Sequence, residues 1–296
     1  MKKWLSGLII GILCIGLFGC SSSASSNGSA SGGESTLEKA KKAGSVTVGF
    51  ANETPYAYQT PDGKLTGEAV EVARAVLKNL GIDEMKGVLT EFGSLIPGLN
   101  ANRFDIITAG MYITPERCKQ VDFANPEYSI GEAIAVKKGN PLNIKNYDDI
   151  KNNKDIKVAV MSGAIQSDYL TKYGIDKGQI QFVSDNPSAI SALQSGRADV
   201  IEMTGPSLQS VLDAAKDGSI ERVMDFEQPV IDGKSVRGYG ASVFRKADSD
   251  FREAFNKELE KMKESGELLE ILKKFGFTEQ ELPGDKTAEA LCSPSS

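Results

Sequence analysis

The chain has 296 residues, enough for two domains of ordinary size, and its 40% hydrophobic and 25% charged content is the balance of a soluble globular protein. Its formal net charge of −6 becomes −8 if the first nineteen residues, with Lys2 and Lys3, are removed (32 basic against 40 acidic). An acidic surface gives no electrostatic reason to bind nucleic acid. With no histidine, no Ser-His-Asp triad, Cys-His pair or zinc site can be assembled, so binding is favoured over catalysis, and neither metal nor cofactor is expected.

The first twenty residues, MKKWLSGLIIGILCIGLFGC, put two lysines ahead of an apolar stretch that is short for a transmembrane helix and ends in small residues. Leu17-Phe18-Gly19-Cys20 resembles a lipobox, which makes 1–19 a lipoprotein signal peptide and Cys20 the acylated first residue of the mature chain. An uncleaved membrane anchor is the alternative. Residues 20–36 then form the lipidated cysteine and a tether rich in Ser, Gly and Ala.

From Val46 onward short β-branched runs alternate with amphipathic helical stretches, the pattern of an α/β protein. Strands are predicted at Val46–Phe50, Gly87–Glu91, Asp105–Ala109, Lys157–Met161, Gln181–Val183 and Asp199–Met203. Gly67–Leu80 sets Val70, Ala73, Val76, Leu77 and Leu80 on one helical face and stops at Gly81. Ser94, Thr114 and Asn186 or Ser188 are predicted helix caps, and Pro115 suits a first helical position.

Asn102-Arg-Phe-Asp-Ile-Ile and Gly196-Arg-Ala-Asp-Val-Ile each follow a helix and open a strand, so two α/β lobes of related construction are expected. A late strand, Gly238–Phe244, precedes the helical stretch Asp250–Lys274, which returns the chain to lobe I. The expected division is 37–136 plus 238–296 for lobe I and 137–237 for lobe II, with hinges near Val136–Asn140 and Asp232–Gly238.

Several segments resemble the polar-amino-acid family of ABC-importer binding proteins: Gly67-Glu-Ala-Val-Glu-Val, Leu95-Ile-Pro-Gly-Leu, Arg103-Phe-Asp-Ile-Ile, the run Ala109-Gly-Met-Tyr-Ile-Thr-Pro-Glu-Arg117, Val121-Asp-Phe and Gly196-Arg-Ala-Asp. The resemblance spans Thr36 to Phe277. Within it, Phe50-Ala-Asn-Glu-Thr-Pro-Tyr-Ala-Tyr with Phe92, Tyr112 and Arg117 resembles the ectoine/hydroxyectoine-binding branch. It implies a two-lobed, type II periplasmic-binding-protein-like α/β fold with two chain crossings as the hinge. It also implies an extracytoplasmic receptor that closes on a small zwitterionic solute and docks on membrane permease subunits. A lipid-anchored monomer with no enzymatic activity is expected.

The resemblance assigns Arg117 to the ligand carboxylate, which its planar fork suits. Backbone N–H groups at Gly110 and Ile113, and at Gly163, Ala164 and Ile165 where a lobe II helix begins, are further candidate donors. Tyr56, Phe92 and Tyr112 fall at the C-terminal ends of lobe I strands, where open α/β sheets bind ligands, and are placed to box a delocalised cation; Phe92 has core packing as its alternative. Glu53 is the candidate partner for the cation, against the alternative of a solvated loop residue. Thr204 stands where amino-acid binders of the family commonly carry an aspartate for the ligand's α-ammonium, so the expected ligand lacks a free primary ammonium. Glu202 is the alternative source of charge, and arginine or another polar amino acid the alternative cargo.

With no histidine, ligand affinity is expected to vary little between about pH 6 and 8. Cys14 leaves with the signal and Cys20 is acylated, which leaves Cys118 and Cys292 as the expected disulfide. A dehydratase-like enzyme using Glu53 or Glu202, and a sensory domain for a membrane kinase, are the rivals from other classes.

Overall fold

The computed structural model describes residues 33–293. The proposed signal peptide, Cys20 and most of the tether lie outside them. Two sheets, each flanked by helices, form two lobes. In lobe I the strand order is Glu84–Leu89, Ser45–Phe50, Ile106–Tyr112, Gly238–Phe244 and Asp122–Phe123, with Tyr128–Ile130 also pairing to Gly238–Phe244. The first three are mutually parallel and Gly238–Phe244 runs antiparallel to its neighbours. In lobe II the order is Ile180–Val183, Val158–Met161, Val200–Thr204, Glu132–Lys137 and Ile220–Arg222, with Glu132–Lys137 antiparallel.

The helix Glu68–Asn79 illustrates how the sequence builds lobe I. Val70, Ala73, Val76 and Leu77 recur at helical spacing and are fully buried, each large aliphatic contributing roughly 1.5–3 kcal/mol relative to exposure. Acidic Glu68 and Glu71 occupy its first turn, Lys78 its last, and Gly81 follows with φ +83°. Phe251, Phe255, Leu259 and Met262 of Ser249–Ser265 pack into the same core, which places the C-terminal helices on lobe I.

The first crossing between lobes lies at Gly131, between Tyr128–Ile130 of the first sheet and Glu132–Lys137 of the second. This corrects the expected boundary at 136/137: the segment 132–137 pairs with Val200–Thr204 and belongs to lobe II. The turn signal Lys138-Gly-Asn-Pro141 marks the loop after that strand. The second crossing is at Val236-Arg237, just ahead of Gly238–Phe244.

Cap positions also shift. Thr114 accepts from the Arg117 N–H at 3.2 Å, with Pro115 at the first helical position. The cap of Asn186–Gln194 is Asp185, accepting from the Ser188 N–H at 2.8 Å, and neither Asn186 nor Ser188. Ser94 ends a 3₁₀ turn and makes no side-chain cap. Among the described residues no helix is long and apolar enough to cross a membrane.

Candidate functional site

The C-terminal ends of the lobe I strands face lobe II across a cleft, and a small cavity lies between them. Lobe I lines it with Glu53, Tyr56, Phe92, Gly110, Tyr112 and Arg117. Lobe II supplies as much of the wall, through Met161, Ala164, Ile165, Gln166, Asn186, Glu202, Met203 and Thr204.

Tyr56 is held by its own backbone. The first N–H groups of helix Glu68–Asn79 have no partner within the helix, and two of them donate to Pro55 O and Tyr56 O at 2.8 and 3.0 Å. Gly67 permits this approach: its φ is +127°, and a Cβ there would stand 2.3 Å from Tyr56 O. The Tyr56 ring stacks on Tyr128 at 5.2 Å, and the Tyr128 hydroxyl donates to Gly110 O at 2.8 Å. Tyr112 meets Tyr128 edge-on at 6.3 Å and lies directly over Gly238, where a Cβ would come within 1.7 Å of its ring. Three aromatic residues expected at the strand ends are thus assembled on one wall. Phe92 has both expected roles, packing with Leu95, Leu99 and Phe104 while facing the cavity.

Arg117 sits at the bottom of this wall. Its Nη1 donates to Tyr112 O at 2.7 Å, its Nη2 donates across the cleft to Gly163 O at 2.9 Å, and its guanidinium carbon lies 5.6 Å from the centre of the Phe92 ring. Burial lowers its pKa, yet a guanidinium stays charged at any physiological pH. Two of its five N–H groups are engaged, leaving donors for an anion.

Glu53 is a buried residue, 9% exposed, rather than a solvated loop glutamate. Its Oε1 accepts from Ser207 Oγ at 2.7 Å and Asn186 Nδ2 at 3.2 Å, both from lobe II. Thr204 accepts from the Tyr56 hydroxyl at 2.8 Å, a second bond between lobes. Gly163 approaches Gly93 so closely that a Cβ on Gly163 would lie 2.5 Å from Gly93 Cα. Lobes joined by these contacts are in a closed arrangement.

Two expected donors fall outside the cavity wall. The Ile113 N–H is spent on Tyr239 O at 2.9 Å, continuing the pairing with the strand that begins at Gly238. Gly163 faces the cleft with its carbonyl, as an acceptor for Arg117. Ala164 and Ile165 do line the cavity.

Glu132, Gln166 and Asn186 were not read from the sequence. Glu132 and Glu202 lie on neighbouring strands, Glu132 opposite Thr204 and Glu202 two residues before it. Glu132 accepts from Gln166 Nε2 at 2.6 Å, and Glu202 accepts from the Tyr147 hydroxyl. Burial pushes the Glu132 carboxyl up to about 7 and, with the added repulsion of Glu132, raises Glu202 well above the ordinary range. Burial raises Glu53 as well, against the hydrogen bonds from Ser207 and Asn186. Even without histidine, Glu132 on the strand beside Glu202 is thus a carboxyl that titrates near neutrality.

Behind the site, Cys118 Sγ is bonded to Cys292 Sγ, with Cα atoms 5.7 Å apart, tying the turn that carries Arg117 to the C-terminal helix Ala288–Cys292.

The model of the bacterial extracellular solute-binding proteins, family 3, matches residues 46–279. The chain belongs to this family. A probable amino-acid ABC transporter periplasmic-binding protein, y4tE of Sinorhizobium fredii, is 40% identical over 265 residues, 88% of this chain and 87% of that protein. The arginine-binding extracellular protein ArtP of Bacillus subtilis is 32% identical over 94% of this chain and 99% of its own length. Among solved structures, EhuB in complex with hydroxyectoine superposes with a TM-score of 0.80 at 35% identity, covering 88% of this chain and 99% of that one. An ancestral arginine-binding protein bound to arginine has a TM-score of 0.69 at 31% identity, covering 79% and 99%. The two-lobed α/β architecture of this solute-binding protein is that of type II periplasmic binding proteins.

Proposed function

We propose that the protein is the receptor of an ABC importer that captures ectoine or hydroxyectoine by lobe closure and delivers it to a membrane permease. The observation that carries this reading is the pairing of Tyr56 with Thr204 on a wall of aromatic rings. A threonine engaged by a phenol neutralises no localised ammonium, whereas ectoine carries one carboxylate and an amidinium whose charge is spread over two nitrogens. Arg117 receives the carboxylate, and Glu53 with the rings of Tyr56, Phe92 and Tyr112 receives the amidinium. Each ring face contributes roughly 0.5–2 kcal/mol once water is excluded.

The crossings at Gly131 and Val236-Arg237 act as the hinge. Gln228 brackets the first, accepting from the Glu132 N–H at 2.9 Å and donating to Glu132 O at 2.8 Å, while Arg237 binds Ser129 O at 2.8 Å beside the second. Cys20 anchors the receptor to the outer face of the cell membrane, and it works as a monomer.

A second reading keeps the transport role with arginine or another polar amino acid as cargo. It is favoured by Glu202, whose carboxylate borders the cavity with one oxygen free of any protein partner among the described residues.

Thermal shift with a panel of solutes tests the choice. A ligand at about a hundred times its Kd stabilises the folded state by ~2.7 kcal/mol. Shifts with ectoine and hydroxyectoine and none with arginine or glutamine are expected. A shift with arginine alone contradicts the ectoine reading and supports the second.

A further inference from the structure

One part of the cavity is not used by a carboxylate on Arg117 or a cation on Glu53. Tyr112 is 4% exposed, and its hydroxyl has no hydrogen-bond partner among the described residues. Glu202 is 1% exposed, and while one carboxylate oxygen accepts from Tyr147, the other has no partner. Glu132 likewise spends one oxygen on Gln166 and leaves the other unpaired. Tyr112 and Glu202 both line the cavity.

Glu132 stands on the strand next to Glu202, opposite Thr204 and two residues along from Ile134, the partner of Glu202. A negative charge on Glu132 is the largest electrostatic influence on the Tyr112 phenol, and it is also the charge that acts on Glu202. The geometry is held from both sides. The Tyr112 ring is confined between Gly238 and Tyr128, and Glu202 sits in a strand paired on both edges, with Ile134 directly opposite it.

The Tyr112 hydroxyl is a donor, and the buried Glu202 carboxyl, held toward its protonated form by burial, has a free oxygen that also needs a partner. Donor and acceptor that are buried without partners cost free energy until something supplies both complements. A hydroxyl does this in one group, accepting from Tyr112 and sharing a hydrogen bond with the Glu202 carboxyl. A methylene does neither.

We propose that Tyr112 and Glu202 form a polar subsite that reads a hydroxyl on the ligand ring, so that the receptor prefers the hydroxylated solute over its unhydroxylated counterpart. This rests on the ectoine reading and deepens it. A site built to hydrogen-bond a hydroxyl discriminates strongly against the analogue that lacks it, because its own polar groups are then left unpaired.

The test is titration of the protein with hydroxyectoine and with ectoine, in the native chain and in Tyr112→Phe and Glu202→Gln. The native chain is expected to bind hydroxyectoine at least about tenfold more tightly. Tyr112→Phe keeps the ring and removes the hydroxyl, so the ratio of the two affinities, read within that variant, should fall below about threefold whatever happens to either affinity alone. Glu202→Gln, which replaces one carboxyl oxygen with an amide nitrogen and keeps the shape, should also narrow the preference. Circular dichroism and melting of each variant establish that it is folded, and the second variant serves if the first is not. Equal affinity of the native chain for both solutes overturns the subsite and leaves the ectoine reading standing. A preference retained in both variants overturns it as well. Binding of arginine with no binding of either ectoine overturns the ectoine reading, and the subsite with it.

Discussion

The Tyr56 hydroxyl donates to Thr204 Oγ1 at 2.8 Å, joining the loop after the first strand of lobe I to the end of a central strand of lobe II. The same loop sends Glu53 to Asn186 and Ser207. The ligand wall and the bonds that close the lobes are therefore built from the same residues, so ligand affinity and closure are coupled through them. Removing the hydroxyl in Thr204→Val should weaken binding by about fivefold or more, the net value of one buried hydrogen bond plus the cost of stranding the Tyr56 phenol. Thr204→Asp should do more: ectoine binding falls, and binding of a polar amino acid with a primary ammonium appears. Titration of both variants with ectoine and glutamine checks this, and unchanged selectivity in Thr204→Asp would remove position 204 from the ligand assignment.

Arg117→Ala should lower affinity by roughly ten- to a hundredfold, since a charge-assisted hydrogen bond contributes about 1.5–3 kcal/mol. Arg117→Lys should recover only part of the loss. It restores the charge, not the fork that reaches Tyr112 O and Gly163 O, nor the planar contact over Phe92. Calorimetry on both variants separates charge from geometry.

Gly163→Ala tests closure apart from folding. A Cβ at 163 would lie 2.5 Å from Gly93 Cα in the other lobe, and φ there is +79°. Strain within lobe II should lower the melting temperature of the unliganded protein by only about 3 °C. Affinity should fall by at least about tenfold, because the lobes can no longer meet. A fall in melting temperature with affinity untouched would place the effect in lobe II alone.

Stability should depend on pH in the direction opposite to that of a salt-bridged carboxylate. Burial holds Glu127 and Glu132 at about 7 against an ordinary 4.5, and raises Glu53, Glu68 and Glu202 in the same sense. Each carboxyl binds its proton more tightly in the folded chain than in the unfolded one. For Glu127 and Glu132 that contribution is fully present below about pH 4.5 and is lost as pH rises through about 7. The unliganded protein should melt roughly 5 °C or more lower at pH 8 than at pH 5, and Glu127→Gln and Glu132→Gln should each flatten that slope. Melting temperatures that climb between pH 5 and 7 would contradict these protonation states.

Cys292→Ser should lower the melting temperature by opening a loop with a sequence separation of 174, worth roughly 4–5 kcal/mol in the chain-entropy model. Affinity should fall with it, since the bridge holds the turn that carries Arg117. Reductant should reproduce both effects in the native chain and neither in the variant.

The strand cores were legible because parallel strands buried on both faces read as apolar runs, as at Val158–Met161 and Ile106–Tyr112. The places of Tyr56, Phe92, Tyr112, Arg117 and Thr204 on the cavity wall were legible because each follows or ends such a run, at the edge of its sheet. What sequence reading missed depends on the other lobe. Asn186 looks like a helix cap until Glu53 is found opposite it, and Glu132 looks like the start of a strand until Thr204 is found beside it. The Ile113 amide looked free because its bond to Tyr239 O depends on pairing between segments far apart in the chain. The crossing at Gly131 left no loop signature because it takes a single residue.

The most direct measurement is calorimetric titration of the protein with ectoine, hydroxyectoine, arginine and glutamine, repeated with Arg117→Ala and Tyr112→Ala. Tight binding of the ectoines, lost in Arg117→Ala and weakened in Tyr112→Ala, with no heat from arginine or glutamine, is the predicted result. Binding of arginine or glutamine alone would contradict it and move the cation site from Glu53 to Glu202.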